Sequence, residues 1–155
     1  MKKITLLTLV VLISSCSTLK SVYSPSLTEK DKNDWNLMTG KWYGSEISQD
    51  GSKLEWLTDR SVDGLYTINF KLTKPNGKMF KQSENGEWGI SGGVYFSIYK
   101  ILLKDGIAEV QNATNPHNRD TYKVLKLNEK EFVYKNFRTG IKYKVIKVDS
   151  TFELN

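Results

Sequence analysis

Two residue types that build many small-protein sites are nearly missing: the 155 residues contain one cysteine, Cys16, and one histidine, His117. A lone cysteine excludes an internal disulfide, and neither residue has the partners that a zinc site of histidines and cysteines requires, so no metal is expected. Long apolar stretches are also missing. Residues 4–13 form the one extended run, about half of the ~20 residues a membrane-spanning helix needs. No segment after residue 40 sustains a helical repeat, which argues against a helical bundle. The formal charge of +6 includes Lys2 and Lys3; the other lysines are spread along the chain without a basic block. Nucleic acid is therefore not expected as a partner. There is no glycine loop for phosphate ahead of a helix and no nucleophile elbow, so no catalytic residue, cofactor or enzymatic activity is expected.

Aromatic residues are plentiful. Four Trp, eight Tyr and six Phe make up 12% of the chain, a usage that suits a sheet core, a lined pocket, or both. The length suits one domain with a real core.

The first residues read as a secretory leader. Lys2 and Lys3 supply the positive start, residues 4–13 the apolar segment, and Ser14-Ser15 the small residues before a cleavage point. Ile13-Ser14-Ser15-Cys16 resembles the lipobox of bacterial lipoproteins. That resemblance implies a leader over residues 1–15 and an acylated Cys16 as the new N-terminus, with membrane lipid as its partner. Two or more acyl chains suffice for stable anchoring. Ser17 in place of an Asp implies sorting to the outer membrane, facing the periplasm or the surface, if the source is Gram-negative. Residues 16–33, rich in Ser, Thr and Lys, read as a lipidated tether, leaving 34–155 as the folded domain. A short helix over residues 27–38, capped by Thr28, is the one helical expectation.

Beyond Leu37 the sequence alternates and turns repeatedly. "QDGS", "SVDG", "TKPNG", "SGG" and "RTG" punctuate eight strand candidates, while residues 104–120 read as a longer linker. Consecutive strands joined by short turns predict an all-β, eight-stranded up-and-down antiparallel barrel, whose closure removes both edges. A monomer is expected. Gly40-Lys41-Trp42 on the first strand, with "EWLTDRSVDGLYTINF", "ENGEWGISGGVYF" and the closing "GIKYKVIKV", resembles bacterial lipocalin-like domains over roughly residues 35–148. The resemblance implies a barrel plugged by Trp42 and a small hydrophobic ligand. The chain departs from that pattern in lacking disulfide cysteines and an Arg beyond the last strand to pack over the Trp.

Period-two alternation sorts the side chains by face. Trp42, Gly44 and Glu46 share one face, as do Leu54, Trp56, Thr58 and Arg60; Tyr66, Ile68, Phe70 and Leu72; and Phe80, Gln82, Glu84, Gly86 and Trp88. Strand five presents Val94, Phe96 and Ile98 as its apolar face. If the Trp-bearing faces point inward, Glu46, Arg60 and Glu84 do so too, and buried charges must pair or hold something polar. Two readings stand. Arg60 braces the barrel through Glu46 or Glu84, or it fixes the acid or phosphate end of a ligand whose tail lies on Trp56, Phe70 and Trp88, with Tyr122, Tyr134 and Tyr143 within reach. Glu46 with Glu84 is formally an acid/base pair, but no spacing supports it. At the level of the whole protein, a lipid-anchored binding barrel competes with a filled barrel that acts through its surface on an envelope or external protein.

Overall fold

In the computed structural model, which describes residues 28–154, the leader, Cys16 and the first part of the tether lie outside the described residues. The first element is the expected helix, α1 (Glu29–Met38). It starts inside the stretch assigned to the tether because Thr28 and Asp31 form a capping box: each side chain accepts from the other's backbone N–H.

Nine strands follow: β1 (Gly40–Ile47), β2 (Lys53–Arg60), β3 (Leu65–Thr73), β4 (Met79–Ser91), β5 (Val94–Lys104), β6 (Ile107–Val110), β7 (Arg119–Leu127), β8 (Glu131–Asn136) and β9 (Lys142–Lys147). Eight of them pair antiparallel in the order β1-β2-β3-β4-β5-β7-β8-β9, and β9 returns to β1 through Trp42↔Lys147 and Tyr43↔Ile146. The closed barrel matches the architecture expected from the turns. The ninth strand, β6, corrects the reading of residues 104–120 as a linker. It folds back on the outer half of β5 through Asp105-Gly106, both at positive φ, as a two-residue hairpin needs. All four of its residues are exposed, so it carries no alternation by which to recognise it.

One end of the barrel is sealed. Trp42 and Phe132 are fully buried at edge-to-face geometry, 6.0 Å between centroids, and Met38 of α1 packs with them. Trp42 Nε1 donates to the Met38 carbonyl at 2.8 Å. Trp35 stacks on Trp88 at 4.3 Å and donates to the Val62 carbonyl, while Asp31 accepts from the Gly92 backbone N–H. The cation over Trp42 is a lysine. Lys147 Nζ lies 4.7 Å from the ring centre and donates to the carbonyls of Leu37 and Thr39. The role that found no arginine beyond the last strand is thus filled from inside β9.

On β5 the inward face is the opposite of the expected one. Tyr95 is buried, whereas Val94 and Phe96 are exposed. Phe96 lies outside against Gly89, where a Cβ would stand 2.4 Å from its ring. A bulge at Lys100, where Asn85 pairs with Ile101 but Gly86 with Tyr99, then brings Leu102 onto the inner side opposite Glu84.

Candidate functional site

A chamber of about 310 Å³ lies within the barrel, bordered by Arg60, Tyr66, Phe70, Glu84, Tyr95, Asp120 and further tyrosines including Tyr134. Arg60 is the last residue of β2, paired with Gly40 and Tyr66 near the sealed end. It is 2% exposed. Its Nη2 donates to the Tyr95 hydroxyl at 3.0 Å, and its guanidinium lies 5.0 Å from the Tyr95 ring centre and 5.9 Å from that of Phe132. Nε and Nη1 have no hydrogen-bond partner among the described residues.

The bracing ion pair expected for Arg60 does not form. Glu46 pairs with Leu54 six residues along β1 from Gly40, about 20 Å away at strand spacing, and it is exposed. Glu84 borders the chamber but is bonded to Gln82 instead. Burial and, after it, the charge of Asp120 raise the Glu84 carboxyl above its ordinary value. Asp120 is itself engaged by Arg138, at 2.8 Å, and by Asn136. Lys147 stands near enough to feel the Arg60 charge. The base of the chamber is therefore cationic, with no carboxylate among the described residues in an ion pair with Arg60.

Around that base runs a set of hydroxyls. Burial pushes Tyr66, Tyr122 and Tyr134 upward, so all three are neutral hydrogen-bonding groups at ordinary pH. They are positioned by ring packing: Tyr134 stacks on Phe132 at 4.4 Å and on Tyr143 at 5.2 Å, and Tyr95 on Tyr122 at 5.1 Å. Phe70 borders this chamber and also a wider opening of about 890 Å³ at the mouth, lined by Leu54, Leu72, Phe80 and the lysines 74, 81 and 104.

The apolar wall expected along Trp56, Phe70 and Trp88 is thus corrected in two positions. Trp88 is at the sealed end, stacked on Trp35 with its Nε1 donating to the Ser61 carbonyl. Trp56 lies in the wall over Gly44, where a Cβ would meet its ring at 2.3 Å, with the edge of Tyr143 on its other side. The apolar path runs from Phe70 to Leu54, Leu72 and Phe80. Tyr66, Tyr95, Ser97 and Asp120 are bordering residues that pattern reasoning did not single out for the site. The signal for Tyr95 and Ser97 was present as the polar-aromatic alternation Tyr95, Ser97, Tyr99. His117, within the stretch read as a linker, borders the chamber, with Nδ1 2.8 Å from Arg138 Nη1.

These features define a class: a closed antiparallel barrel with a helix-capped base and a mouth leading to an inner chamber, an arrangement able to hold one small ligand. Among solved structures the chain is similar to a lipocalin-like protein from Bacteroides uniformis ATCC 8492, with 18% identity and a TM-score of 0.43 over 72% of this chain and 99% of that one. No family model and no curated protein sequence matches the chain.

Proposed function

We propose that this chain is a lipid-anchored binding protein whose barrel takes a small amphipathic anion head first, the head at Arg60 and the tail along Phe70 toward the mouth. The observation that carries this reading is a guanidinium 2% exposed, with two of its nitrogens unpartnered and no ion-pair partner among the described residues, at the base of a chamber. A buried charge left in this state is costly in the empty protein, and an entering carboxylate or phosphate offsets that cost. Anchoring through acylated Cys16 rests on the lipobox resemblance, and it is tested by Cys16→Ala, which should abolish lipid labelling. Wild-type palmitate incorporation in that variant would overturn it.

Binding is tested by titrating the full chain with a fluorescent fatty acid and following Trp emission. Arg60→Met should weaken binding on the order of tenfold to a hundredfold, the worth of one hydrogen bond to a charged group. The alcohol analogue of the same chain length should bind wild type and variant alike. Equal affinity of the acid for both proteins would refute the role of Arg60. A lack of saturable binding to several apolar anions would favour the filled-barrel reading, in which the protein acts through its surface; the tight Trp42, Phe132 and Met38 packing at the base is the observation on that side.

A further inference from the structure

We propose that the outer face of β7, β8 and β9 docks on an anionic phospholipid surface. Strand pairing sets Lys123 opposite Lys135 and Lys135 opposite Lys142, so three outward lysines stand in one row across three strands. Like charges directly opposite each other weaken a sheet. None of the three has an ion-pair partner among the described residues. In the next row, Lys126 and Lys144 share the single carboxylate Glu131, their stems flanking Val133. At the other end of β7, Arg119 donates to the Ala113 carbonyl. The outward strand positions of β7–β9 therefore hold six cations and one carboxylate. On β1–β4 the outward lysines 41, 53, 71 and 81 are nearly balanced by Glu55, Asp59 and Glu87. The asymmetry is local, and the fold creates it.

Apolar side chains border the lysine row on its mouth side. Phe96 is 39% and Phe137 58% exposed, bridged by Thr121, which pairs with Phe96 and accepts from the Phe137 N–H at 3.0 Å. Ile141 is exposed beside them. Aromatic rings at headgroup depth with lysines reaching lipid phosphates are the usual chemistry of an interfacial contact. The convex outer wall of a barrel suits a membrane surface better than it suits a nucleic-acid strand, which needs a groove. This proposal is independent of ligand binding in the chamber and of acylation at Cys16.

The test uses the full chain carrying Phe137→Trp, with vesicles of brominated phosphatidylcholine alone or mixed with brominated phosphatidylglycerol. Emission from the native tryptophans is subtracted using the parent chain. The lysines of residues 1–27 add to binding on anionic vesicles but are common to the parent and to the lysine variant described next, so the difference between those two proteins on anionic vesicles reports the face itself. The added Trp should be quenched on anionic vesicles and much less on neutral ones. Replacing Lys123, Lys135 and Lys142 together by Gln should weaken the anionic component about fivefold per lysine, on the order of a hundredfold in all. The triple variant should unfold at the same or a higher temperature than its parent, because a like-charge row has been relieved. Equal quenching on the two vesicle types, quenching that survives the triple substitution, or loss of thermal stability in that variant would each overturn the proposal. So would salt-sensitive binding to single-stranded nucleic acid without lipid quenching, which would assign the face to another polyanion.

Discussion

Replacing Arg60 by methionine should make the empty barrel more stable, an unusual outcome for a fully buried side chain. The substitution removes the Tyr95 hydrogen bond, worth about 1.5–3 kcal/mol when one partner is charged. It also removes two buried nitrogens that lack partners, each costing about 1–3 kcal/mol, and an unpaired charge in a low-dielectric site. Methionine fills a similar volume without polar hydrogens and can lie against the Tyr95 and Phe132 rings. The balance favours the variant by about 1–3 kcal/mol, or roughly 3–5 °C of thermal midpoint per kcal/mol for a domain of this size. Urea unfolding of both proteins without added ligand, monitored by Trp emission, measures it. A loss of more than about 1 kcal/mol would refute the reasoning, since it would mean that Arg60 is a satisfied structural group. If the variant is more stable and also loses the fatty acid, the arginine is maintained at a cost to the fold for the sake of an anion.

Other substitutions probe the barrel itself. Trp42→Ala should cost about 3–5 kcal/mol in urea unfolding, because it empties a fully buried site and leaves the Met38 carbonyl and Lys147 without the ring; a loss below about 1 kcal/mol would contradict the packing. Gly44→Ala should cost about 1–3 kcal/mol by driving a methyl into the Trp56 ring, and should shift Trp emission; an unchanged midpoint would mean that the ring lies elsewhere. Glu84, whose carboxyl is raised by burial, favours the fold below its ordinary value of 4.5 and loses that contribution as pH rises through its folded value. Glu84→Gln should therefore flatten the fall in thermal midpoint above pH 4.5, and an unchanged pH profile would show the carboxylate to be solvated. Glu55 works in the opposite direction. Hydrogen bonds from Lys53, then Tyr43 and Lys71, hold it down at about 2, so its contribution is present above pH 4.5 and fades as pH falls toward 2; Glu55→Gln should remove that acid-side slope in the same midpoint measurements.

Local sequence determined much of the framework, since local rules govern it. Turn residues at positive φ and period-two alternation set β1 to β4 and β7 to β9 and sorted most of their faces, and Thr28 with Asp31 encoded the start of α1. Arg60 as an inward charge followed from the same alternation, and Trp42 as the plug from the resemblance that Gly40-Lys41-Trp42 carries. The rest depended on contacts between distant segments. The inner face of β5 depends on Phe96 finding the bare backbone of Gly89 outside, and β6 depends on β5 continuing past the bulge to offer it an edge. The isolation of Arg60 from Glu46 is a matter of strand length, since two residues on the same inward face can still lie at opposite ends of the barrel. Lysines that look evenly scattered along the chain became one row only when β7, β8 and β9 fell into register. Alternation within a strand fixes the side to which a residue points. Closure and register between strands fix which residues it meets there, and the chemistry of the chamber and of the outer face follows from those meetings.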